Sequence, residues 1–202
     1  MTETMQANRR SQHITIVSET FPPEINGVAN TLRQLCQGLM QRGHRVTVIR
    51  PRQQHERKGH FASAGEALFS REHVVTGLPL PRYADLRFGL ARTGHLKKLL
   101  TTDRPDAVYV ATQGPLGVAA TTAARQIGIP VSSGFHTNFH SYSRYYGVGM
   151  LERLLCLYGR WFHNRTAITL VPTRKMQQTT RAMGIPATGL WSRGVDCHRF
   201  TP

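Results

Sequence analysis

From His13 onward the chain alternates short β-branched runs with segments of helical period, and this alternation constrains the fold more than any other feature. His13–Ser18 (HITIVS) reads as a buried strand that runs into a Pro/Gly loop, Glu19–Gly27 (ETFPPEING). Beyond it, Val28, Leu32, Leu35, Cys36 and Leu39 recur at helical spacing, and Gly43 supplies a C-terminal stop. Arg45–Ile49 (RVTVI) then reads as a second strand. A strand, a helix and a strand in that short a span make a βαβ unit, which demands parallel pairing and a right-handed crossover.

Gln53–Glu72 is polar and weakly patterned, and reads as a long loop or short irregular helix. His73–Thr76 reads as a short strand, followed by an extended segment carrying Pro79, Pro81 and Tyr83. The alternation then resumes: helix around Phe88–Leu100, strand Ala107–Ala111, helix Pro115–Ile127, strand Pro130–Ser133. The amphipathic helix Gly147–Asn164, strand Ala167–Val171, helix Thr173–Met183 and strand Thr188–Trp191 complete it. The expected class is α/β, an open doubly wound, mainly parallel, Rossmann-like sheet. With 202 residues the chain suits one domain, residues 13–202, behind a polar tail of residues 1–12. Its apolar runs fall far short of the roughly 20 residues that span a bilayer, and its start is not signal-like, so a cytoplasmic location is expected.

Lys and Arg number 26 against 11 Asp and Glu, a formal charge of +15. Beyond Asp106 the only acids are Glu152 and Asp196, so the second half is nearly acid-free. Such a field attracts phosphate-bearing partners: nucleic acid, anionic lipid or sugar nucleotide. A basic polyanion- or nucleic-acid-binding α/β module without catalysis is one reading. The basic residues are scattered, however, and no recognised module is present, which makes nucleic acid a poor fit. Cys36, Cys156 and Cys197 form no CxxC pair and read as free thiols that pack rather than react. His136 and His140 stand four apart without a nearby carboxylate or cysteine to complete a metal set, and no GxSxG elbow is present.

Ligands of doubly wound sheets bind beyond the carboxyl ends of the strands, near a topological switch point. Three strand-end loops therefore draw attention: Glu19–Gly27, Ala111–Pro115 (ATQGP) and Gly134–Tyr146 (GFHTNFHSYSRYY). Gly27 lies directly before a helix, where backbone amides can approach a phosphate, although a plain turn built on Pro22, Pro23, Asn26 and Gly27 explains the same residues. The third loop concentrates His136, Asn138, His140, Tyr142, Arg144 and Tyr145, more hydrogen-bonding groups than a turn needs. His136 could orient a hydroxyl or offset phosphate charge, or be structural.

Glu19–Val28 (ETFPPEINGV), Leu78–Tyr83 (LPLPRY), Arg104–Gly117 (RPDAVYVATQGPLG), Gly134–Gly149 (GFHTNFHSYSRYYGVG), Trp161–Thr166 (WFHNRT) and Arg193–Asp196 (RGVD) together resemble family-4 retaining glycosyltransferases. The likeness is to the bacterial mannosyltransferase and sulfoquinovosyltransferase-like branch, which glycosylates lipid acceptors. It implies the N-terminal half of a GT-B fold, in which this half chiefly holds the acceptor and a second Rossmann-like domain the nucleotide sugar. It implies that Asn26 and Gly27 approach the donor diphosphate and that His136 lies by the transferred sugar as the catalytic residue. Thr112, Gln113, Asn138, Tyr142, Arg144 and Tyr145 would line the acceptor or sugar side. The resemblance implies no cofactor and no metal, a nucleotide-sugar donor and a lipid-linked or polyol acceptor. The basic second half and the Gly147–Asn164 helix suit an anionic membrane surface as a further partner, although covering the sheet explains the same helix.

Two departures qualify these expectations. Related sequences tend to carry histidine where Tyr109 stands and glutamate where Gln113 stands, so a charged contact at Gln113 does not carry over. The chain ends at Pro202, shortly after RGVD, where the family continues into its second domain. The Arg/Lys pair and EX7E carboxylates of that domain have no counterpart here, so the isolated domain is expected to be inactive.

Overall fold

The computed structural model describes residues 10–53, 56, 68–80, 83–135, 149–192 and 194. Among them, eight strands form one sheet: β1 (His13–Val17), β2 (Arg45–Pro51), β3 (Arg71–Leu80), β4 (Tyr83–Leu90), β5 (Ala107–Val110), β6 (Val131–Gly134), β7 (Ile168–Val171) and β8 (Thr188–Leu190). The spatial order is β4-β3-β2-β1-β5-β6-β7-β8, parallel throughout except for the antiparallel β3–β4 pair. The helices are α1 (Gly27–Gln41), α2 (Thr93–Asp103), α3 (Pro115–Gln126), α4 (Gly149–His163) and α5 (Arg174–Ala182). The mainly parallel, doubly wound class read from the sequence is the one observed.

Side-chain alternation along the central strands builds a core on each face of the sheet. Ile16, Val46, Val48 and Tyr109 meet Leu32 and Cys36 of α1 on one face. Val17, Ile49, Val108 and Val110 meet Leu96 and Leu100 of α2, Leu116 and Ala120 of α3 and Phe162 of α4 on the other. Gly43 ends the α1 turn at φ +78°, a conformation that favours glycine.

One expectation is corrected. The helix placed around Phe88–Leu100 begins at Thr93, and Phe88, Gly89 and Leu90 belong to β4. Phe88 and Leu90 fit a helical stripe as well as an alternating strand, and pairing with β3 decides between them. The extended Pro79 segment is the end of a ten-residue β3, paired through Gly77↔Gly89 and Leu78↔Phe88. The register shifts between Pro79 and Leu80, beside the residue that has no amide to donate. Most of Gln53–Glu72 lies outside the described residues, but Arg71 and Glu72 open β3.

At the end of β2, Arg50 is 2 % exposed and paired with two acids: its Nη2 lies 2.5 Å from Glu56 and its Nε 2.6 Å from Glu72. Burial opposes the guanidinium charge, but the bonds to Glu56 and Glu72 outweigh it and hold its pKa above the ordinary value. The network joins the end of β2 to the start of β3 and to the segment that follows β2.

Candidate active-site crevice

The sheet changes direction between β1 and β5: β2 and β3 lie on one side of β1, and β5 to β8 on the other. The loops after β1 and β5 lead to helices on opposite faces, the place at the carboxyl ends of the strands where doubly wound sheets bind their ligands. Two of the three loops singled out from the sequence meet there.

Asn26 caps α1. Its Oδ1 accepts from the amides of Val28 at 3.1 Å and Ala29 at 2.9 Å, and its Nδ2 donates to Thr20 Oγ1 at 2.6 Å. The Asn30 amide goes to the Asn26 carbonyl at 3.0 Å. The cap fixes the first turn and leaves the Gly27 amide outside it, at the positive end of the helix. Gly27 also begins a groove of about 570 Å³ that follows α1 to Arg42 and faces Leu170, Pro172 and Trp191.

Thr112 and Gln113 follow β5, on the other side of the switch point. Thr112 Oγ1 accepts from the Glu19 amide at 2.8 Å, locking the two loops together. The Gln113 carbonyl accepts from the Tyr158 hydroxyl of α4. Tyr109, where related sequences carry histidine, is buried in β5 with its ring edge-on to Trp191 at 5.6 Å. His136, Asn138, Tyr142, Arg144 and Tyr145 lie outside the described residues. The described chain reaches Phe135, just past the carboxyl end of β6, whose amide donates to the Leu170 carbonyl at 2.8 Å.

The structure adds Glu19, which sequence reading passed over. Its carboxylate accepts from the Leu116 amide in the first turn of α3 at 2.9 Å and from the Gly89 amide of β4. Glu19 is 8 % exposed, and burial raises its carboxyl to about 7 against the pull of the amides of Gly89, Leu116 and Gly117. A Cβ at Gly114 would clash with this carboxylate, and one at Gly117 with the Thr112 carbonyl, so both glycines are fixed by close approach. The α3 N-terminus, a natural anion site, is thus filled by an internal carboxylate, while that of α1 keeps an amide free of its cap. The one signal in the sequence was an acid directly after an apolar strand. Its partners lie 70 and 97 residues away, beyond the reach of any spacing rule.

Behind the crevice His163 is 1 % exposed, and burial lowers its imidazole to about 4. Its Nδ1 lies 2.9 Å from Ser133 Oγ, and its ring packs 5.3 Å from that of Phe135. A neutral imidazole therefore supports the base of the loop that follows β6.

Comparison with known proteins gives a consistent picture. Residues 25–199 match Glycosyltransferase Family 4. The chain is 31% identical over 190 residues to a GDP-mannose-dependent alpha-mannosyltransferase of Mycobacterium tuberculosis, covering 94% of this chain and 49% of that protein. It is 23% identical over 181 residues to the sulfoquinovosyl transferase SQD2 of Arabidopsis thaliana, covering 88% of this chain and 34% of that one. The chain spans about half the length of the mannosyltransferases it matches. Among solved structures, sucrose-phosphate synthase from Thermosynechococcus elongatus superposes with a TM-score of 0.65 at 10% identity, over 95% of this chain and 50% of that one. UDP-GlcNAc 2-epimerase from Methanocaldococcus jannaschii superposes with a TM-score of 0.55 at 14% identity, over 90% and 45% respectively. At those identities the likeness concerns the fold, which is that of one Rossmann-like half of a GT-B architecture.

Proposed function

The chain belongs to Glycosyltransferase Family 4, and on that premise we propose that it is the acceptor-side half of an enzyme that moves a hexose, with retention of configuration, from a nucleotide sugar to a lipid-linked or polyol acceptor. The observation that carries this reading is the switch point, where the α1 cap leaves the Gly27 amide outside it and the Glu19–Thr112 bond ties the loop after β1 to the loop after β5. The relatives at 31% identity are named as GDP-mannose-dependent, which favours a mannosyl donor.

In this reading the α1 terminus stabilises the leaving diphosphate as charge develops on it, an electrostatic contribution that needs neither a metal nor a carboxylate nucleophile. Asn26 positions Gly27 by capping the helix. Glu19 already fills the α3 terminus and so directs the anionic donor toward α1. His136 lies by the transferred sugar, and Asn138, Tyr142, Arg144 and Tyr145 line the acceptor side. A second Rossmann-like domain supplies the donor clamp, and the 202 residues alone are inactive. The enzyme works at the periphery of an anionic, cytoplasmic membrane face.

The test is a donor screen on the full-length protein, GDP-mannose against UDP-sugars, with lipid and polyol acceptors. Transfer from one donor is expected, and His136→Ala should lower turnover by at least about tenfold. No transfer from any nucleotide sugar would overturn the enzymatic reading, and near-normal turnover of the variant would remove His136 from it.

A further inference from the structure

A helix cap asks little of its residue: one side-chain oxygen turned to the first amides, for which Asn, Asp and Ser serve about equally. The cap of α1 has more built behind it. The Asn26 atom that receives the amides of Val28 and Ala29 is its oxygen, so its Nδ2 is turned the other way, to Thr20 Oγ1 at 2.6 Å. Because Thr20 Oγ1 accepts that bond, its own hydrogen goes to Glu24 Oε2, a carboxylate oxygen that can only accept. Asn26 Nδ2 also lies 3.5 Å from the same Glu24 oxygen. Each link runs in one direction, so the carboxylate at one end fixes which way the Asn26 amide faces at the other.

The relay is anchored in the sheet and the core. Thr20 is buried: its amide donates to Ser18 Oγ at 3.2 Å, and its carbonyl accepts from that hydroxyl at 2.6 Å. Ser18 in turn donates its amide to the Ile49 carbonyl of β2 at 3.1 Å. The Glu24 amide donates to the carbonyl of Phe21, whose side chain is buried in the core beneath α1. Burial raises the Glu24 carboxyl above its ordinary value, opposed by the bonds from Thr20 and Asn26 and by the field of Arg50. Its Oε1 is buried and meets no hydrogen-bond partner among the described residues. A half-matched carboxylate costs free energy, and the plain turn that Pro22, Pro23, Asn26 and Gly27 can make does not need one. It also places negative charge in the loop read here as approaching a diphosphate. Its presence calls for a use that outweighs both costs.

We propose that Thr20 and Glu24 are positioning residues for the nucleotide-sugar donor: acting through the Asn26 amide, they hold the first turn of α1, and with it the Gly27 N–H, in the orientation that receives the donor diphosphate. This rests on the reading of the α1 terminus as the diphosphate site. Neither residue touches the donor. Their effect is to remove the alternative orientations of Asn26, so that the donor meets an amide already in place.

The experiment is steady-state kinetics of the full-length enzyme, with nucleotide sugar and acceptor varied separately. Thr20→Val keeps the branched shape and removes the hydroxyl; it should raise the donor KM at least about tenfold and leave the acceptor KM unchanged. Thr20→Ser returns the hydroxyl and should restore the donor KM. Glu24→Leu should raise the donor KM as Thr20→Val does, and the double variant should rise no further, because each breaks the same relay. Electrostatics alone predicts the reverse for Glu24, since removing a carboxylate near an anion site should tighten donor binding. Asn26→Ser keeps a capping oxygen but has no amide to reach Thr20, so it should leave the urea midpoint of the 202-residue chain unchanged and still raise the donor KM. That variant carries the test if Thr20→Val fails to fold. An unchanged donor KM in Thr20→Val or Asn26→Ser, a lower one in Glu24→Leu, or donor and acceptor KM rising together would overturn the proposal. Absence of transfer by the wild-type enzyme from any nucleotide sugar would instead sink the donor reading on which it rests.

Discussion

Glu19 is a carboxyl surrounded by amides rather than by cations, and its energetics follow from that. The unfolded value lies near 4.5 and the folded value at about 7, so between the two the folded protein holds a proton that the unfolded chain has released. Its contribution to stability is full below about pH 4.5 and is lost as pH rises through 7. His163 runs the other way. Its folded value near 4 lies below the unfolded 6.5, so its contribution is present above 6.5 and is lost as pH falls toward 4. Between about pH 4.5 and 6.5 the two slopes oppose each other and nearly cancel. Urea unfolding across that range should therefore separate them. Glu19→Gln should leave a protein that loses on the order of 3 kcal/mol as pH falls from 6.5 to 4.5. His163→Phe, which leaves Ser133 Oγ bonded to Thr166 and Thr169 at 3.0 and 3.2 Å, should instead lose stability as pH rises. Parallel curves for both variants and the wild type would refute both assignments.

At the scale of elements, the crevice depends on where α1 and α3 begin. Asn26→Ala removes the α1 cap and should cost about 1 kcal/mol in denaturant unfolding. In the full-length enzyme it should also weaken donor binding, because the Gly27 amide is no longer held. A larger loss is expected from Gly114→Ala, about 1–3 kcal/mol, since the new methyl displaces the Glu19 carboxylate from the α3 terminus. Arg50→Met leaves Glu56 and Glu72 buried without their cation and should cost about 3–5 kcal/mol. Restoration of stability by also neutralising both glutamates would identify the unpaired charge, rather than lost packing, as the cause. β4 carries the reverse lesson about legibility. Phe88 and Leu90 satisfy two periods at once, and Gly89 offers nothing to either, so only the amide bond to Glu19 and the pairing with β3 reveal a strand.

For the whole molecule, the two cores meet across β1, β2 and β5, and hydrogen exchange should be slowest at Ile16, Val48 and Val110 and fastest at the edge strands β4 and β8. Equal protection at centre and edge would contradict that distribution. The order of elements, the parallel sheet and the approximate bounds of α1, α3, α4 and the strands beside them were legible in the sequence because hydrophobic period is a local property. The same locality places Asn26, Gly27, Thr112 and Gln113 on strand-end loops, and the switch-point rule makes those loops candidates. Three things needed the tertiary structure: that the loops after β1 and β5 are locked by the Glu19 amide and Thr112, that Glu19 occupies the α3 terminus, and that Leu154, Leu157 and Trp161 of α4 are exposed. Each depends on groups far apart in the chain, and period and composition carry no record of which distant amide or empty surface a side chain will meet.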